Sequence, residues 1–193
     1  ISWPKGIKPD KTPRSQFHHV NDVVPTLYEV IGIKHPDEVG GFKQDPMDGV
    51  SMVSTFADAK AAGQKKTQYF ENNASRGIYH DGWFASAMGP REPWVGGMPK
   101  GAKEWSPEKD QWELYNLNED FNQTTDLATK NPQKVTEMKE MFVAEAKKYQ
   151  VFPMDASVAA RIVAPRPNIT AGRSEFVYTS PMVGLPQGDS PGI

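Results

Sequence analysis

The longest hydrophobic period in the chain runs through Val135, Met138, Phe142, Ala146 and Tyr149, spaced i, i+3, i+7, i+11, i+14. That spacing puts all five on one face of an α-helix. Asn131-Pro132 supplies an N-cap followed by proline at the first helical position, where a missing amide proton is no loss. The pattern predicts a helix over 132–149. A shorter period, Val23, Leu27, Val30 and Ile31, falls at i, i+4, i+7, i+8 and predicts a helix over 22–31 with one buried face. Asn21 or Asp22 is its expected N-cap, Pro25 fits its first turn, and Gly32 supplies the left-handed residue that ends it.

Alternation marks the strands. Trp112, Leu114 and Asn116 lie on one face of an extended segment, and Glu113, Tyr115 and Leu117 on the other. An Asn-Glu-Asp turn follows at 118–120, whose short side chains can bond their own backbone. Thr67 to Glu71 alternates in β-rich types, and Asn72 to Ser75 reads as a turn. Arg76 to Ala87 reads as two strands broken at Asp81-Gly82, a strong hairpin dipeptide. Ile1 to Pro4 reads as a strand end, 34–49 as loop, Ser51 to Phe56 as a short helix or turn, and Asp58 to Lys66 as a polar connector. Gly89 to Pro107 is a long loop holding Trp94 and Trp105, and loops of that length are often functional. Beyond Met154 little period remains, with extended pieces expected at 161–167 and 174–179. The sum is an α+β fold: a small four-stranded antiparallel sheet packed by a C-terminal helix, then an irregular tail.

Composition narrows the function. The 193 residues carry a net charge of −2, so no basic field points to nucleic acid or to an anionic membrane. No apolar run reaches bilayer-spanning length. Without cysteine there is no disulfide framework, thiol catalysis or Cys-ligated zinc in this chain. The compartment stays open between periplasm and cytoplasm. Only five leucines stand against 17 prolines and 16 glycines, so the core must draw on Val, Ile, Met and aromatic residues. The chain opens without Met and closes on a turn-rich Gly188 to Ile193, and is expected to be a fragment of a larger protein.

Five pieces, in order, resemble the C-terminal portion of a type I sulfatase, an arylsulfatase of the alkaline phosphatase superfamily. Ile1-Ser2-Trp3-Pro4-Lys5-Gly6-Ile7 looks like the last strand of the catalytic domain. Asp22-Val23-Val24-Pro25-Thr26-Leu27, reaching Gly32, is similar to the family's D-x-x-P-T-L…G helix. Asp48-Gly49-Val50-Ser51 is similar to its D-G-x-S turn. Arg76-Gly77-Ile78-Tyr79-His80-Asp81-Gly82-Trp83 resembles a hairpin in which the family has lysine where this chain does not. Glu113-Leu114-Tyr115-Asn116-Leu117, with Asp120 and Asp126-Leu127-Ala128, looks like the E-L-Y-D-L signature.

The resemblance implies three regions. Residues 1–60 would be the remnant of the α/β catalytic domain, 61–153 the sheet-plus-helix subdomain, and 154–193 a tail toward a further domain. It also implies a formylglycine nucleophile made from a C/S-x-P-x-R motif, and a calcium ion that steadies the sulfate oxygens. Neither belongs to the residues here, since Ser106-Pro107 and Ser190-Pro191 lack the motif's spacing. No catalytic or metal residue is expected in this chain. The implied partners are the upstream remainder of the catalytic domain and, for the whole protein, a sulfate ester. Substrate-pocket candidates are His18, His19 and Trp94. A phosphonate or phosphodiester hydrolase of the superfamily and a stand-alone α+β interaction module are the rival readings. His80-Asp81 reads as a turn rather than an acid/base pair, His35 as solvated, and the acidic residues over 104–120 as a solvated face.

Overall fold

The computed structural model describes residues 1–8, 10–91, 104–152 and 154, all within a compact unit that runs from Ile1 to Val158. The strands are β1 (Glu38–Val39), β2 (Phe42–Lys43), β3 (Thr67–Asn72), β4 (Ser75–His80), β5 (Trp83–Ala87) and β6 (Glu113–Asn116). The helices are α1 (Val23–Ile31), α2 (Ser54–Ala57) and α3 (Pro132–Lys148). Strands β3 to β6 form one antiparallel sheet in sequence order. The expected four-stranded sheet packed by a helix is what the chain forms.

Two tight hairpins set the register. Asn73 and Ala74 join β3 to β4 at φ 52° and 72°, and Asp81 and Gly82 join β4 to β5 at φ 48° and 89°. Positive φ at both turn positions matches the right-handed twist of the flanking strands. Ala74 is a poor residue for that conformation, because its Cβ crowds the backbone there. Burial of its methyl and a hydrogen bond from its amide to Glu71 Oε1 (2.9 Å) offset the strain.

Register then decides which side chains meet α3. Tyr69, Ile78, Ala85 and Leu114 lie in one row across the sheet. Ile78, Ala85 and Leu114 are fully buried against Met138, Phe142 and Ala146, the centre of the predicted stripe on α3. Each large aliphatic buried this way contributes about 1.5–3 kcal/mol. The opposite row, Gln68, Tyr79, Phe84 and Tyr115, is covered in part by Phe17, whose ring stacks on Tyr79 at 3.7 Å. After the acidic turn the chain doubles back along β6: the amide of Leu114 donates to Asp126 Oδ1 (2.9 Å) and that of Leu127 to the Leu114 carbonyl (2.8 Å).

Several expectations change. Ile1 to Pro4 is not a strand: the Trp3 carbonyl accepts from the amides of Gly6 (3.0 Å) and Ile7 (2.8 Å), closing a turn. A strand needs a neighbour for its backbone groups, and the described residues offer none there. The 34–49 loop contains the β1–β2 hairpin, turned by Gly40 and Gly41 at φ 59° and 86°. Gly-Gly was a legible hairpin signal. Helix α1 runs as predicted and ends on Gly32 at φ 70°, but its apolar face is not buried. Val23, Leu27 and Ile31 are 44%, 53% and 58% exposed, with Val20 at 76% and Val24 at 49%. The expected extended pieces at 161–167 and 174–179 lie outside the described residues.

Candidate functional site

The segment entering α1 gathers most of the buried polar chemistry among the described residues. His19 is extended (φ −128°, ψ 160°) and precedes a 3-10 turn, Val20–Asp22, that runs into α1. Its Nδ1 accepts from the Asn21 amide (3.5 Å), while its own amide donates to Asp22 Oδ2 (2.8 Å). This reciprocal cap replaces the expected capping by Asn21 or Asp22 alone.

The Asp22 carboxylate is fully buried. Its Oδ1 accepts from the Val50 amide (2.8 Å) and from Lys65 Nζ (3.0 Å). Lys65, 4% exposed, also donates to Asn21 Oδ1 (2.9 Å) and the Asp48 carbonyl (3.4 Å). Four residues on, Thr26 Oγ1 donates to the Asp22 carbonyl (2.6 Å) and accepts from the Met52 amide (2.9 Å). Asp22 thus holds the backbone of the Asp48-Gly49-Val50-Ser51 turn at Val50, and Thr26 holds Met52 just after it. Gly49 has no room for a side chain, because the Asn21 carbonyl occupies the space a Cβ would take.

Burial pushes the Asp22 pKa up, but the amide hydrogen bonds from His19 and Val50 and the Lys65 ammonium outweigh it, and the carboxyl is held below its ordinary value. All three Lys65 protons have acceptors and both Asp22 oxygens have donors. The pair is a structural pin rather than a nucleophile or a proton shuttle. A depressed folded-state pKa stabilises the fold above the unfolded carboxylate value of about 3.9, and that contribution is lost as pH falls through the folded value. The Asp22 carboxyl is expected to stay ionised below pH 3.9 in a carbon-detected NMR titration, with the urea midpoint dropping as it protonates. A midpoint at or above the ordinary value would contradict the pin.

The structure separates the two candidate histidines. The His18 ring is 19% exposed, both its nitrogens are shut from solvent without a hydrogen-bond partner, and Nδ1 lies 3.7 Å from Asp22 Oδ2. His19 meets the Phe70 ring edge-on at 5.5 Å on the sheet face away from α3. Trp94 lies outside the described residues. The ring of His35 is half-buried beside Tyr28 with Nε2 3.1 Å from the Asp45 carbonyl, not solvated. His80 and Asp81 do not act on one another as a catalytic pair: His80 Nδ1 lies 2.8 Å from Thr67 Oγ1, and Asp81 pairs with Lys66 (2.9 Å).

A cleft of about 500 Å³ opens beside the pin, between Asn21, Asp48, Gln68 and the end of α3. Its ionisable groups are mutually satisfied: Lys148 Nζ donates to Asp48 Oδ1 (3.1 Å) and to the Tyr149 hydroxyl (3.0 Å). Among the described residues no three His, Cys, Asp or Glu side chains gather where they could hold a metal ion.

Sequence reasoning also missed Arg76. Its side chain is 2% exposed and lies between the rings of Trp105 and Trp112, at 5.7 and 5.3 Å. It donates to Asp110 Oδ2 (2.7 Å) and to the Ala74 and Pro107 carbonyls, while Trp105 Nε1 donates to Asp110 Oδ1 (2.9 Å). Asp110 is thus an anchor and not part of a solvated acidic face. The signal was there: Arg76 shares the inward phase of Ile78.

No protein-family model matches the chain. A sulfatase of Formosa agariphila is 27% identical over 148 aligned residues, covering 70% of this chain and 23% of that protein. Among solved structures, a Bacteroides thetaiotaomicron protein, BT33336S-sulf, described with the metabolism of multiple glycosaminoglycans, superposes with a TM-score of 0.53 at 17% identity. That match covers 75% of this chain and 28% of the other. Ps i-CgsB gives a TM-score of 0.53 at 18% identity, over 83% of this chain and 31% of its own. The chain spans under a third of the length of each of these proteins, and the two structural likenesses speak to fold. In sequence and in fold the chain is related to the sulfatases, a family of hydrolases.

Proposed function

We propose that the chain is the C-terminal part of an arylsulfatase-like sulfuric ester hydrolase. It contributes scaffold and pocket-lining residues, and it is inactive by itself. The observation that carries this reading is the apolar stripe of α1. A well-formed helix leaves Val23, Val24, Leu27 and Ile31 about half exposed, with Val20 exposed in the turn before it, and contiguous apolar surface of that kind calls for a covering partner. The remainder of a catalytic domain is the cover proposed. Residues 1–60 then complete that domain, 61–153 form its small sheet-and-helix subdomain, and 154–193 lead toward a further domain. The nucleophile, formylglycine from a C/S-x-P-x-R motif, and the calcium site belong to the upstream polypeptide.

The test compares this chain with the longer polypeptide read from the same frame, using 4-nitrophenyl sulfate and bis(4-nitrophenyl) phosphate. Sulfate release by the long form alone is the expected result. Cleavage of the phosphodiester in its place would favour a phosphodiester hydrolase of the same superfamily. A short chain that unfolds cooperatively and stays monomeric, with no C/S-x-P-x-R upstream, would make it an independent interaction module.

A further inference from the structure

We propose, resting on the reading above of a chain covered by the rest of its polypeptide, that the β1–β2 hairpin is a second docking element, its Val39–Phe42 face buried by an apolar surface of that polypeptide. The hairpin is two-faced. Val39 and Phe42 are directly opposed in the ladder, as are Glu38 and Lys43, and successive residues of a strand point to opposite faces. One face is thus apolar, and the other carries a matched pair of opposite charges. Val39 is 54% and Phe42 75% exposed, so the described residues leave the apolar face open. Two strands of two residues each are marginal in water by themselves, and covering that face supplies the burial they lack.

The occupant follows from where apolar burial is missing. Among the described residues every member of the hydrophobic core lies at Ala74 or beyond, and the buried residues of 1–60 are all polar: Asp22, Thr26 and Thr55. Residues 1–60 have secondary structure without an apolar core to hold it. The hairpin also continues from the α1 face. The Ile33 amide donates to the Tyr28 carbonyl (2.9 Å) and the His35 ring stacks on Tyr28 (6.1 Å), which ties the start of the hairpin to the last turns of the helix. One positive and one negative charge on the other face give no field to draw a polyanion or an anionic membrane. The chain spans under a third of the length of its sulfatase relatives, and the remaining polypeptide is the cover that suits a neutral, apolar face.

Hydrogen exchange read by mass spectrometry, on the present chain and on the longer polypeptide from the same frame, tests this without an assay of activity. Amides of 37–44 should exchange at least about tenfold more slowly in the longer form. Slowed exchange in α1 alone overturns the hairpin's docking and leaves the covering domain standing, whereas equal rates in both elements overturn the two together. Phe42→Asp should leave the Tm of the present chain within about 1 °C, because the side chain already faces water, and lower that of the longer form by at least about 2 °C. Glu38→Gln, on the opposite face, should change neither. A longer form whose Tm ignores Phe42→Asp overturns the proposal. So does a present chain that dimerises and returns to monomer with Phe42→Asp, since a second copy is then the occupant. Where the longer Phe42→Asp variant does not fold, the wild-type exchange comparison decides. Failure to release sulfate bears on the sulfatase reading and leaves these measurements intact.

Discussion

Asp22→Ala should cost the fold about 3–5 kcal/mol, because it leaves the buried Lys65 ammonium without its counter-charge. The loss is large because neither group reaches water: the side chains are 0% and 3% exposed. Lys65 keeps only Asn21 Oδ1 and the Asp48 carbonyl, and the amides of His19 and Val50 lose their shared acceptor. Against a typical stability of about 5–15 kcal/mol, the variant is marginal. Urea denaturation followed by circular dichroism measures the change. The control is Asp22→Leu with Lys65→Met, which removes both charges and should recover much of the loss, since a buried ion pair and a well-packed apolar pair are often similar in stability. If Asp22→Ala stays within about 1 kcal/mol of wild type, water reaches Lys65 and the pin does not exist as described.

Phe142→Ala should be comparably damaging, at about 3–5 kcal/mol, through a different mechanism. The Phe142 side chain is 2% exposed, stacked on Tyr69 at 5.0 Å and edge-on to Trp112 at 5.5 Å. It ties α3 to both outer strands of the sheet region, and its removal leaves a cavity that the flanking rings cannot close without moving. Phe142→Leu should lose less, about 1–2 kcal/mol. Near-ultraviolet circular dichroism, which reports the fixed packing of aromatic rings such as Trp112 and Tyr69 against Phe142, should weaken in step with stability. An alanine variant that keeps both would show that Met138 and Ala146 alone hold the helix.

These two residues differ in how visible they were. Phe142 belongs to a five-residue stripe, and its burial follows from periodicity and the helix it predicts. Asp22 was noticed as a cap and as part of a resemblance, yet its partner Lys65 lies in a polar stretch that looks solvated. Nothing local marks Lys65, because the acceptors it meets come from residues 21, 22 and 48. Arg76 is intermediate: its phase in β4 put it inward, but Asp110, 34 positions on, and Trp105 had to arrive beside it to make burial tolerable. The α1 stripe was read correctly as apolar and wrongly as buried. Periodicity reports which face avoids water, and it does not say whether the covering surface is present.

Local physics in the sequence therefore determined the elements: helix periods, strand alternation, and the Asp81-Gly82 turn that needs positive φ. It also carried the order of motifs that relates the chain to the sulfatases. Tertiary structure alone decided which polar groups pair. Asp22, Lys65 and Val50 are 15 to 43 positions apart in sequence and meet only when α1 packs on the Asp48-Gly49 turn. The same folding closed off the nitrogens of His18 and seated the His19 ring edge-on to Phe70. Such contacts depend on where distant backbone comes to lie, and no spacing along the chain records it.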